Sequence, residues 1–180
     1  ATLFMAMIGA IALWAFSYGV ALLVFDPGLR VVFEIPIWLG TCFTSLLFLA
    51  FALEYTGQKD VVRSTPMAGV VALTLGFVGL IATNPRHHLV WSEYRIDPTF
   101  GAATVAYTNE AWLFLILLTL MLFTTGAVLV LLETFVSYGP LYRSQTLALA
   151  LSPVPIIPGI LLWVFDAGPM PNLNLAPLLF

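Results

Sequence analysis

Charge is what this sequence has least of. Asp, Glu, Lys and Arg together make up 8% of its residues, against roughly 25% in an ordinary soluble domain. The six basic residues are scattered and outnumbered by nine acidic ones, so no basic patch exists to follow a nucleic-acid backbone. Lysine is rarer still. The single one, Lys59, sits in a polar connector; no membrane-embedded amine is available for a retinal Schiff base, and a light-driven pump is disfavoured. One cysteine, Cys42, rules out an internal disulfide and reads as a small apolar packing residue. There is no phosphate-binding loop, no zinc-protease motif and no suggestion of a Ser/His/Asp set. The chain therefore calls for no catalytic residue, cofactor or metal. One lysine against five arginines hints at a salt-adapted prokaryote.

In place of charge there are long apolar runs. Residues 1–25, 35–53, 64–85, 111–132 and 144–165 carry no Asp, Glu, Lys or Arg. Each is about as long as the ~20 residues a helix needs to cross hydrocarbon. A soluble core helix would keep a polar face, and these runs do not. The fold class is all-α, a polytopic transmembrane helix bundle with the lipid bilayer as its immediate partner. Five complete crossings are expected at about 3–25, 35–54, 66–83, 108–133 and 144–165, with a sixth helix beginning near Leu175. Residues 1–25 lack the basic start of a signal peptide and are long enough to span. No initiator Met is present, and the apolar stretch restarting at Leu173 stops at Phe180. Residues 1–180 thus read as one transmembrane domain cut from a longer chain, its last helix truncated.

Gly and Pro punctuate the connectors, as helix ends require. Alternate connectors share a side. Lys59, Arg63 and Arg143 then face one way, Arg30, Arg86 and Arg95 the other, and the positive-inside rule leaves the orientation undecided. Trp38, Trp91, Trp112 and Trp163 fall on the side of Arg86; Tyr55, Tyr138 and Tyr142 fall on the opposite side, where aromatics anchor at interfaces. In the third segment Ala68, Ala72 and Gly76 recur every four residues, with Gly79 nearby, a pattern that lets helices approach closely and predicts a place inside the bundle. In the fifth, Pro153, Pro155 and Pro158 lie within six residues. Each lacks an N–H, and backbone freed in this way needs protein or water nearby; a broken, inward-facing helix is expected. Glu54, Glu110, Glu133 and Asp166 bound their runs and read as helix-end residues. Thr124, Thr125 and Gly126 fall mid-membrane and read as packing or bending positions. No internal repeat supports a transporter.

The polar residues gather in "TNPRHHLVWSEYRIDP", residues 83–98, which holds both histidines. Adjacent side chains point apart, so His87 and His88 cannot easily chelate one ion. Two readings remain: an interfacial loop seated at headgroup level, or a ligand- or pH-sensing rim made of Asn84, Arg86, His87, His88 and Trp91 beside Trp38, Trp112 and Trp163. Histidine titrates near neutral pH, which gives the rim a chemical means of sensing.

Three stretches resemble the N-terminal seven-transmembrane region of sensor histidine kinases. The first is "FLAFALEYTGQ", with Glu54, Tyr55 and Gly57. The second is "TNPRHHLVWS", whose Asn84, Pro85, His87 and Trp91 fit the family's Asn-Pro-x-His and following Trp. The third runs from Arg143 and Gln145 in "LYRSQ" to "NLNLAPLLF", where Pro177 matches the start of the last helix. The fifth segment departs from the pattern, having three prolines and no Asn at the expected place. The resemblance implies seven helices, one preceding residue 1, in a prokaryotic cell membrane. It implies a cytoplasmic start for these residues, an extracytoplasmic loop 84–106, downstream kinase or sensory modules in the same polypeptide, and a homodimer. Pro153, Pro155 and Pro158 become candidates for helix movement. The competing reading is a stand-alone transporter or lipid- or small-molecule-binding membrane protein.

Overall fold

Asp26 opens the longest helix. Its carboxylate accepts the Leu29 N–H at 2.7 Å, and Pro27 follows at the first helical position, where a missing N–H costs nothing. The resulting helix α2 (Pro27–Tyr55) packs between α1 (Thr2–Ala21), α4 (Thr65–Ala82) and α6 (Ala111–Ser137). Its most apolar window is 50% buried, against 22% for those three, so α2 is the central helix. The computed structural model describes residues 2–99, 101–137, 140–164, 173–174 and 176–178. The short helices α3 (Lys59–Val62) and α5 (Asn84–His87) sit in connectors, and α7 (Pro140–Leu151) and α8 (Ile156–Val164) complete the bundle. Among the described residues, five segments are long and apolar enough to cross a membrane: α1, α2, α4, α6 and the stretch Arg143–Trp163. Their outward faces carry Phe16, Leu122 and Val136, all exposed, as a helix surrounded by lipid requires.

The expected bundle is present, with four local differences. First, α2 begins at Pro27, well before residue 35, so Arg30 and Glu34 belong to a membrane helix and not to a connector. A criterion of charge-free runs necessarily excludes them. Second, α4 does not bury its small residues. Ala68, Ala72, Gly76 and Gly79 face outward, and the helix docks through Met67, Thr74, Phe77 and Ile81. In lipid, helices associate through van der Waals packing and not through removal of apolar surface from water, and here the larger side chains of α4 make that contact. The close helix approach occurs elsewhere: a Cβ on Gly40 would lie 2.7 Å from the Trp14 backbone nitrogen, so α1 and α2 cross there. Third, the polar connector contains a β-hairpin, β1 (Trp91–Ile96) antiparallel to β2 (Val105–Asn109), irregular between Ser92 and Arg95. Fourth, the fifth crossing is split. Turns at 152–155 separate α7 from α8, held by Val154 N–H to Leu151 O at 3.0 Å and Ile156 N–H to Pro153 O at 3.1 Å. The expected break is present, but the helix does not turn its prolines inward as expected: Pro153 is buried, whereas Pro155 and Pro158 are exposed. After α8, a 3₁₀ turn (Ala176–Leu178) with Pro177 buried packs on α1 and α8; Leu175, Asp166 and Tyr138 lie outside the described residues.

Candidate functional site

The Asn-Pro pair, the polar connector and most of the tryptophans meet at the hairpin end of the bundle. The hairpin is held down by backbone: Ala103 N–H donates to Leu22 O at the end of α1 at 2.7 Å, and Glu110 N–H to Val90 O at 3.1 Å. Ser92 Oγ adds a 2.7 Å bond to the Glu110 carboxylate. Asn84 closes the preceding turn. Its amide accepts the Val90 N–H at 2.9 Å and donates to Trp91 O at 3.0 Å, and it is 1% exposed. The Asn-Pro pair is thus a clamp that seats Trp91 under the hairpin.

Beneath the hairpin the aromatic rings form one cluster. Trp91 stacks on Trp38 with centroids 6.2 Å apart and planes 18° from parallel. Trp163 of α8 reaches the same ring at 6.5 Å and meets Tyr107 edge-on at 6.0 Å. Tyr107 also touches Trp91 and stacks on Tyr94. Offset and edge-on rings of this kind attract through their quadrupoles as well as their area. Burial pushes the Tyr94 and Tyr107 phenols up, and the negative charge of Glu34 adds to the effect.

Next to the cluster lies a buried ion pair. Arg30 Nη1 and Glu34 Oε1 are 2.6 Å apart, one helical turn from each other, with side chains 3% and 7% exposed. Removing two charges from water is costly, and attraction offsets it only when the remaining donors find partners. Here one does not: Arg30 Nε is buried without a hydrogen-bond partner among the described residues. A small cavity of about 50 Å³ adjoins the pair, walled by Trp14, Tyr18, Trp38, Thr104, Tyr107 and Trp163. Below it a second cavity of about 500 Å³ runs into the membrane span, lined by Met7, Ile11, Phe48, Leu120, Pro153 and Ile156 among others. Trp14, Thr41, Leu117 and Ile160 wall both. The Thr44 hydroxyl borders the larger one, buried and also without a partner among the described residues.

A family model described as the N-terminal 7TM region of histidine kinase matches residues 1–180. No curated protein and no solved structure gives a significant match. The chain belongs to the N-terminal 7TM family of histidine kinases. It is a multi-pass membrane sensor region, and the stretches that resemble the family acquire physical reasons in this 7TM frame. Gly57, at φ 85°, ends α2: Gln58 N–H reaches Leu53 O at 2.8 Å and Gly57 N–H reaches Glu54 O at 3.1 Å, the paired bonds of a glycine helix stop. Tyr55 packs beside Phe51 at 5.8 Å. Arg143 and Gln145 are exposed near the start of α7, with the Arg143 guanidinium 5.7 Å above the Phe135 ring.

The expected rim divides in two. Trp38, Trp91 and Trp163 come together, and Asn84 holds the backbone of Trp91. Arg86 and His88 are exposed above, and His88 takes a left-handed turn at φ 51°. His87 is engaged locally, its Nδ1 accepting the Leu89 N–H at 3.1 Å and its Nε2 lying 3.1 Å from Thr83 Oγ1. Trp112 is 42% exposed on α6 and forms none of the described ring contacts. Sequence reasoning missed Arg30, Glu34, Tyr18, Tyr94, Thr104 and Tyr107. For the first two a signal existed: "DPGLRVVFE" carries a helix start at Asp26-Pro27 and an Arg–Glu pair four residues apart, the spacing of neighbours on one helix face.

Proposed function

We propose that this 7TM region receives an extracytoplasmic or membrane-borne stimulus at its hairpin end and passes it to kinase modules of the same polypeptide, working as a homodimer. In this reading the hairpin and loop 84–106 face outward, and Lys59, Arg63 and Arg143 face the cytoplasm. Arg86, His87 and His88 form the polar approach, and Trp38, Trp91 and Trp163 the floor beneath. The observation that carries the reading is that Trp163, on the far side of the 152–155 break from α7, packs on Trp38 of the central helix beside a buried ion pair. A stimulus acts only through its different affinity for two helix arrangements. Here α8 is tied to the hairpin cluster, while α7 leads to the opposite face. Pro153 and Pro155 lie in the joint, and Pro158 in the first turn of α8, so that α8 tilts without dragging a continuous helix with it.

Two experiments test this. Single cysteines in place of Arg95 and of Lys59, labelled in intact cells with an impermeant maleimide, report the orientation; Cys42 is fully buried and contributes little background. Labelling at position 95 and protection at 59 are expected, and the reverse overturns the topology. Autophosphorylation of the full-length protein then tests the coupling: Trp163→Ala shifts its basal level, whereas Leu122→Ala on the lipid-facing side of α6 does not.

A further inference from the structure

We infer that the groove between α1 and the split pair α7–α8 is the seat of a further membrane helix of this polypeptide, the one that starts at Asn174. The groove is the larger cavity, about 500 Å³. Phe4, Ile8 and Ile11 of α1 form one wall and Leu149, Ile157 and Ile160 of α7 and α8 the other, with α2 and α6 behind. Along α1 it extends from Phe4 to Trp14, roughly 15 Å or about three helical turns. Phe4, Ile8 and Ile157 are exposed along it, so one side of the groove is open.

Three observations say what covers that side. The first is continuity. The 3₁₀ turn Ala176–Leu178 packs on both α1 and α8, at the end of the groove where Trp14 and Ile160 wall both cavities. Asn174 N–H donates to Tyr18 Oη of α1 at 2.8 Å, and the Asn174 side-chain oxygen accepts the Ala176 N–H at 3.0 Å. That second bond is the signature of a helix N-cap, and Pro177 follows in the first turn, where helical N–H groups have no partner anyway. The family has seven crossings and five lie among the described residues, so a helix starting here is one the family requires. The second observation is composition. Thr41, Ser45, Thr124, Thr125 and Ser152 all line the groove, and the hydroxyls of Thr41, Thr124 and Ser152 bond to backbone carbonyls one turn earlier. Helix interfaces in membranes are rich in such residues, whereas the lipid-facing positions Phe16, Leu122 and Val136 are large and apolar. The third is the turn at 152–155, whose Ser152 and Pro153 line the groove. Non-helical backbone at membrane depth persists only where protein or water covers it; a hydrocarbon tail is neither.

Seated there, the helix packs against Leu149 of α7 and Ile157 of α8, one on each side of the joint, so a tilt of α8 changes its packing directly. This transmission step rests on the input-domain reading; the seat itself does not.

The full-length protein in native membranes tests the seat, with photoreactive p-benzoylphenylalanine in place of Ile8 or Ile157 in the groove, or of Leu122 outside it. After irradiation and proteolysis, mass spectrometry identifies what each probe has joined. The probes at 8 and 157 should both join the ~20 residues that follow Asn174, in a product that migrates as a monomer, and the probe at 122 should join phospholipid. Thr125, exposed in the groove, replaces either position if that variant fails to accumulate. Groove probes that join phospholipid, a segment preceding Ala1 or a second copy overturn the seat, as does the absence of any adduct there while the probe at 122 reacts. Autophosphorylation is read separately: Ile157→Ala should shift its rate at least about threefold. The expected adducts with an unchanged rate would leave the seat standing and overturn the transmission step instead.

Discussion

At the scale of single residues, Gly40, Asn84, Tyr94 and Tyr107 carry sharp expectations. Gly40 is where α1 touches α2, and a methyl group there would lie within 2.8 Å of Trp14 backbone and side-chain atoms. Gly40→Ala should therefore destabilise the bundle by about 1–3 kcal/mol, the usual cost of overpacking, read as a lower thermal midpoint in nanodiscs. Gly76→Ala, on the open face of α4, should leave it unchanged or slightly raised. Asn84→Ala strands the buried Val90 N–H and should cost about 1–3 kcal/mol, with quenched or shifted Trp91 fluorescence as the local sign. The phenols of Tyr94 and Tyr107 are held protonated by burial. Their folded pKa values lie above the ordinary value of ~10, so their contribution to stability is complete below pH ~10 and is lost as pH rises above it. An alkaline titration followed by phenolate absorbance, with pH raised above ~10, should show these two ionising only together with unfolding; their ionisation with the fold intact would contradict the burial.

At the scale of elements, what could be read in advance depended on how local the signal is. Membrane helices announce themselves by length without charge, so five crossings were legible. The proline triplet marked the break between α7 and α8 because a missing N–H acts within its own turn. Packing partners were not legible: Ala68, Ala72 and Gly76 have the spacing of a close contact, yet which face meets a neighbour is decided by the rest of the bundle, and Met67 and Phe77 face inward instead. The hairpin was hidden because its strands are short and their pairing joins residues far apart in sequence, Trp91 to Asn109 at the extreme. The ion pair was hidden for another reason. Charge reads as a boundary in an apolar sequence, and Arg30 and Glu34 are enclosed by residues distant in the chain, from α1 and α8 as well as the hairpin. Two expectations follow for these elements. Gly57→Ala, forced into a left-handed conformation at φ 85°, should cost about 1–2 kcal/mol and fray the end of α2, seen as faster amide exchange at residues 53–58. Replacing Pro153 and Pro155 together by Ala should extend α7 toward α8 and narrow the difference in autophosphorylation between stimulated and resting protein.

At the scale of the whole molecule, the bundle has a polar, aromatic, roofed end and an opposite end with short connectors, joined by one central helix and one broken one. The family places these residues in the N-terminal region of histidine kinases, and the proposed function assigns the asymmetry a use: reception at the hairpin end, which gathers Arg30, Glu34 and three tryptophans, and transmission along the helix split between α7 and α8. If this cluster sets the state of the kinase, disturbing it from either side must change the output. That is tested by the autophosphorylation rate of the full-length protein in native membrane vesicles, compared among wild type, Glu34→Gln and Trp163→Ala, with Leu122→Ala as the lipid-facing control. Glu34→Gln and Trp163→Ala should each shift the rate at least about threefold, since weakening a buried pair or a ring contact by ~1 kcal/mol moves a two-state equilibrium by that factor or more, while the control stays at the wild-type rate. Unchanged rates in both variants, with the protein folded and inserted in normal amount, would contradict control of the kinase by this cluster.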